Sequence, residues 1–103
     1  MRFMLTFEIG LKEGNAAVRD GTLGETIESI LNDIKPEAAY FSDIDGSRGG
    51  YLIINMDDVS QIPAIVEPLF LRLGAIIKIH PVMTAEDMGR ANEAFQQVAQ
   101  KYG

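Results

Sequence analysis

The chain has 103 residues, with 15 acidic against 9 basic side chains and a net charge of -6. The basic residues (Arg2, Lys12, Arg19, Lys35, Arg48, Arg72, Lys78, Arg90, Lys101) are scattered. They form no stripe of the kind that displaces counterions from phosphate, so neither nucleic acid nor an anionic membrane is an expected partner. There is no cysteine, which excludes disulfides, a thiolate nucleophile and a Cys-based zinc site and fits a reducing cytoplasm.

Hydrophobic residues make up 47% of the chain, enough for one core, and the length fits a single domain over residues 1–103. The apolar runs Tyr51–Ile54 and Leu69–Leu71 are far shorter than the roughly 20 residues a membrane-spanning helix needs. Arg2 followed by apolar residues has the look of a signal peptide, but Glu8 interrupts the run, so the segment is expected to be mature structure.

Residues Arg2 to Ile9 alternate. Phe3, Leu5, Phe7 and Ile9 form one set, and Arg2, Met4, Thr6 and Glu8 the other, which predicts a half-buried strand. Gly10 to Asn15 reads as a loop, with Asn15 placed to cap a helix. From Leu23, the residues Ile27, Ile30, Leu31 and Ile34 recur at helical spacing. Ala16 to Val18 extend that helix backwards if Gly21 and Gly24 do not break it. Pro36 closes it.

Ala38 to Ile44 predicts a second strand and Tyr51 to Met56 a third. Asp45-Gly46-Ser47 and Gly49-Gly50 between them supply the connection of a hairpin. Asp57 and Asp58 sit where a helix cap belongs, and Val59 to Leu73 then repeat helically. Pro63 suits a first turn, whereas Pro68 is expected to kink or split the helix. Gly74 ends it. Ala75 to Val82 predicts a fourth strand. Thr84 and Asp87 approximate a capping box before a last helix striped with Met88, Ala91, Phe95, Val98 and Tyr102.

The expected class is α+β: a ferredoxin-like βαββαβ sandwich, its four-stranded antiparallel sheet covered on one face, plus a C-terminal helix. Pleat geometry sends the apolar sets of strands one and four beneath the helices. The other face then carries Met4, Thr6, Glu8, Ile76, Lys78, His80 and Val82. Tyr51, Ile53 and Asn55 join them from strand three, and Tyr40 and Ser42 from strand two. This face is too apolar for water and too polar for a dry core.

The strand order, the length, the mixed fourth strand ending His80-Pro81-Val82-Met83 and the added helix from Thr84 resemble the dimeric α/β-barrel superfamily. That group includes antibiotic-biosynthesis-type monooxygenases and muconolactone-isomerase-like proteins. The resemblance spans essentially the whole chain and rests on pattern, without the motif of any one enzyme family. It implies a homodimer whose open sheet faces meet, with a small organic ligand in the cleft, and it transfers no catalytic residue.

His80, the lone histidine, is the candidate catalytic residue as a general acid or base; the alternative is an interface histidine held by hydrogen bonds. With strand ends aligned, His80 falls near Met4 and Lys78 near Thr6. Glu8 then reaches Lys78 diagonally, as a cross-strand salt bridge in preference to a proton-transfer pair. Tyr40 and Tyr51 read first as ordinary strand tyrosines and second as a stacking surface for a flat ligand. Tyr51 and Asn55 are placed to orient a substrate. Arg48, beside Gly49-Gly50, has the chemistry to grip a carboxylate or phosphate.

No cofactor is expected. One histidine and no cysteine disfavour zinc. Asp43-Ile44-Asp45-Gly46 is turn chemistry rather than a calcium loop. Phosphate-binding glycine loops and the nucleophile elbow are missing. Two classes of function follow: a cofactor-free enzyme of isomerase or monooxygenase type, or a non-catalytic module for a small ligand or a protein partner.

Overall fold

The alternation at the start of the chain builds the middle of the sheet. In the computed structural model, which describes residues Met1–Gly103, β1 is Arg2–Glu8 and alternates half-buried and buried positions. Its neighbours are β3 (Ser47–Asn55) and β4 (Ile76–Pro81), and β2 (Ala38–Ile44) pairs with β3 on the outside. The order is β2-β3-β1-β4 with every pair antiparallel.

The first crossover holds two helices, α1 (Leu11–Asp20) and α2 (Leu23–Ile34), where the simple βαββαβ plan has one. Gly21 divides them. It adopts φ 72° and donates its N–H to the carbonyls of α1's last turn, a left-handed cap that glycine adopts without strain. Gly24 is tolerated within α2's first turn.

The loop expected from Gly10 to Asn15 is instead the start of α1, which begins immediately after Gly10. Gly14 costs a helix interior about 1 kcal/mol relative to alanine. Here, however, it is the buried point of α1, where a Cβ would press on Ile9 and the end of the Arg48 side chain. Tertiary packing therefore overrides local propensity. Asn15 is no cap: its Oδ1 accepts a hydrogen bond from Arg48 at 3.0 Å.

The hairpin is tighter than the glycine-rich stretch suggests. Ile44 faces Ser47, so Asp45 and Gly46 alone make the turn, both at positive φ (51° and 85°). Such two-residue turns match the twist of the strands they join. Gly49 and Gly50 belong to β3 itself. A Cβ on Gly49 would strike the carbonyl oxygen of Phe7, and one on Gly50 that of Tyr40. The glycines let neighbouring backbones close up.

Asp58 accepts from the N–H of Ser60 at 2.8 Å, and Gln61 Oε1 reaches back to the N–H groups of Asp57 and Asp58. This box starts a 3₁₀ turn, Val59–Gln61, that runs into α3 (Ile62–Leu73). Of the kink or split expected at Pro68, the split does not occur, and α3 continues through it. Buried Ile65, Val66, Leu69 and Leu73 tie both halves of the helix to the sheet, which outweighs one missing backbone donor.

Thr84 and Asp87 form the expected capping box, at 2.9 and 3.1 Å. The last helix is interrupted at Ala91, giving α4 (Ala85–Arg90) and α5 (Asn92–Tyr102).

The buried core joins Phe3, Leu5, Phe7, Ile9, Leu52, Ile54, Met56 and Ala75 from the sheet and strand ends to Ile30 of α2 and the buried residues of α3. All of the sheet's contribution faces one way. No helix is long and apolar enough to cross a membrane. Leu5 is fully buried at the centre of this core, so Leu5→Ala is expected to lower unfolding free energy by about 2–5 kcal/mol. Urea denaturation measures this as a lower midpoint at unchanged slope.

Candidate functional site

Strand register decides which side chains share the uncovered face. Across the sheet, Ala38, Ile53, Met4 and His80 form one row. Tyr40, Tyr51, Thr6 and Lys78 form the next, and Ser42, Gly49, Glu8 and Ile76 a third. Arg2 lies beyond the first row, opposite Asn55, and its carbonyl receives the N–H of Val82. His80 opposite Met4 and Lys78 opposite Thr6 is the register expected from the aligned strand ends.

The face is open to solvent. Tyr40, Tyr51, Ile76, Lys78 and His80 are exposed, and Met4, Thr6, Glu8 and Ile53 are half-buried by their neighbours. Ile76, at 60% exposure, is the largest apolar liability here, since β-branched strand residues normally lie against something.

The candidate residues fall into three places rather than one. His80, Lys78, Thr6, Glu8, Tyr40 and Tyr51 share the open face. Asn55 belongs to its end, where its amide donates to Glu37 Oε1 at 2.7 Å. Arg48 is on the opposite face. Its odd-numbered neighbours point outward, so its own side chain turns toward α1 and bonds Asn15. Any anion it grips lies across the sheet from His80. There Arg48 borders a hollow of about 580 Å³ with Ile9, Leu23, Ile27 and Phe41. This is the part of the helix side that the helices leave uncovered. Phe41 stays 54% exposed in it, meeting Phe7 edge-on at 6.3 Å.

The diagonal salt bridge between Glu8 and Lys78 does not form. The ion pairs of the structure are Arg2–Glu37, Arg90–Glu86 and Arg90–Asp87. Glu8 faces Ile76 and Lys78 faces Thr6. Diagonal neighbours on such a pair sit roughly 7–8 Å apart, and water solvates each charge where it stands.

One polar cluster has no forerunner in the sequence reading. Arg2 donates through Nε and a terminal nitrogen to the Glu37 carboxylate, at 3.0–3.3 Å, and Asn55 joins from β3. The hydrogen bonds from Arg2, and after them that from Asn55, hold the Glu37 carboxyl below its usual value of 4.5. The cluster borders a hollow of about 550 Å³ shared by Arg2, Asn55, Val82, Met83 and Asp87. The signal was register: Arg2 and Asn55 meet only once β1 and β3 are aligned, and Glu37 precedes β2 by one residue.

No family model and no curated protein matches the chain. Among solved structures, a de novo designed protein, Ferredog-Diesel, aligns with a TM-score of 0.45 at 9% identity, covering 79% of this chain and 85% of that one. On its own topology, the chain is a small α+β protein with a four-stranded antiparallel sheet, helices on one face, and a strand order consistent with a ferredoxin-like sheet.

Because the Glu37 carboxyl is held low by its partners, the stabilisation it gives is complete above pH 4.5 and fades as pH falls through the folded-state value. Arg2→Ala is therefore expected to raise the Glu37 titration midpoint toward 4.5, read by NMR of the side-chain carboxyl carbon. A midpoint that does not move would mean that Arg2 does not hold this carboxylate in solution.

Proposed function

We propose that this protein works as a homodimer of dimeric α/β-barrel type, with open sheet faces opposed and a small organic molecule held between them. The observation that carries the reading is the composition of that face. Met4, Ile53 and Ile76 are apolar enough to favour a cover, and His80, Lys78, Tyr40 and Tyr51 stand among them as donors and acceptors. Ligand sites are mostly apolar surfaces with a few polar groups of this kind.

In this reading the protein is a cofactor-free enzyme whose reaction moves a proton, of the isomerase or monooxygenase type. His80 exchanges the proton, the imidazole being the group suited to do so near neutral pH. Lys78, one row away, favours an anionic substrate or a developing oxyanion. Tyr40 and Tyr51 offer ring faces and hydroxyls to orient a flat molecule.

A second reading, a non-catalytic module for a small ligand or a protein partner, has its own support. The hydrogen bonds made by side chains of the sheet engage Arg2, Asn55, Arg48, Ser42 and Asp43, and none of them orients the His80 imidazole. Catalytic imidazoles are usually fixed by a second group.

The assembly is tested by sedimentation. Wild type is expected as a dimer at micromolar concentration, and Ile53→Lys as a monomer with an unchanged far-ultraviolet spectrum. A monomeric wild type removes the reading. The chemistry is tested on small molecules found by binding-induced thermal shifts. For an enzyme, His80→Gln keeps binding but slows turnover by roughly 10²–10⁴-fold. Ligands bound but unchanged by wild type would support the module instead.

A further inference from the structure

The last two helices hardly touch the domain they follow. α5 contains no buried residue. The Cα radius of gyration is 17.3 Å and the longest dimension 59 Å, whereas a globular chain of this length has a radius of about 13 Å. The accessible surface is 7125 Å². A compact monomer of 11.3 kDa would expose roughly 5,700 Å². The excess is therefore of the order of what one partner contributes to a stable interface, about 800 Å² or more.

The arm's apolar residues are Met88, Ala91, Phe95, Val98 and Tyr102, at steps of three, four, three and four. This is the a/d repeat of a helix-on-helix seam, narrower than the stripe of a helix that lies on a sheet or core. Met88, Phe95, Val98 and Tyr102 are 42–75% exposed. The flanking positions are small or polar: Asn92, Ala94, Ala99 and Lys101. Ala91 is the junction of the two helices: its N–H closes α4 on Asp87 O, and its carbonyl accepts the N–H of Phe95 at the start of α5.

We propose that the α4–α5 arm pairs with the same arm of a second copy of this chain. A narrow seam calls for another helix, and a twofold pairing matches the stripe to itself. Acidic residues (Glu86, Asp87, Glu93) occupy the arm's N-terminal part, partly offset by Arg90, and Lys101 its end. Opposed helix dipoles and this charge gradient favour antiparallel arms. About an axis near the middle of α5, Phe95 of one arm then meets Val98 of the other, and Ala91 meets Tyr102. At 1.5 Å per residue the segment 85–102 is about 27 Å long, marginal as an isolated helix. The inference accordingly rests on the two-chain reading above, the arms adding to the contact between sheet faces.

The full-length, cysteine-free chain permits a direct test. In sedimentation equilibrium, Phe95→Asp with Val98→Asp is expected to weaken the dimer at least tenfold. If that variant dimerises like wild type while Ile53→Lys dissociates, the arm pairing is overturned and the sheet-face reading survives. If the arm variant dissociates and Ile53→Lys does not, the arm pairing stands and the sheet-face reading fails. A nitroxide on Gln97→Cys, near the middle of α5, gives a readout that does not depend on disrupting the seam. Paired arms give one interchain distance under roughly 30 Å, set by helix axes 8–10 Å apart plus two label tethers. Only longer distances, or no interchain distance, would overturn the proposal.

Discussion

Everything in this fold depends on the pleat of β1. A strand sends successive side chains to opposite sides, and this one sends Phe3, Leu5 and Phe7 toward the helices and Met4, Thr6 and Glu8 away from them. Because β1 lies between β3 and β4, its register transmits the division to both neighbours. Leu52 and Ile54 follow Leu5 and Phe3 to the core, while Tyr51 and Ile53 follow Thr6 and Met4 outward. A one-residue slip would exchange the faces of every row. The burial of Leu5, Phe7, Leu52 and Ile54 is what prevents it.

That constraint explains why some features were legible in the sequence and others were not. Period-two alternation identified β1 and both faces of β4, and with aligned strand ends it also gave the His80–Met4 pairing. The Asp-Gly turn located the hairpin. Features that depend on tertiary contact were hidden. The start of α1 looks like a loop because Lys12, Glu13 and Gly14 favour no buried face, yet Gly14 is the point where the helix meets Ile9. Pro68 looks like a breaker because its neighbours' anchorage to the sheet cannot be read from spacing.

Arg48 shows how a site can be assembled wrongly from composition. Its chemistry suits an anionic ligand, and it follows the turn on the strand that also carries Tyr51 and Asn55. Strand parity nevertheless places it with Gly50 and Leu52 on the helix side, where Asn15 holds it. Asn55 has the right parity but is already bound to Glu37. What remains on the open face is a smaller set, His80 and Lys78 on β4 beside Thr6 and Glu8 on β1, Tyr51 on β3 and Tyr40 on β2, reached across three strand pairings.

The same set constrains what can lie over it. A dry protein cover would strip water from Lys78, which has no ion-pair partner in the chain, and burying an unpaired ammonium costs several kcal/mol. Leaving the face bare instead exposes Ile76 and the edges of Met4 and Ile53. A cover that closes over the Met4–Ile53 row and keeps space above Lys78 satisfies both demands. The space must hold water or a ligand with an acceptor for the ammonium. In the homodimer proposed above, this mismatch between adjacent rows favours a cleft over a packed interface, and an occupant with negative charge or a carbonyl oxygen to meet Lys78.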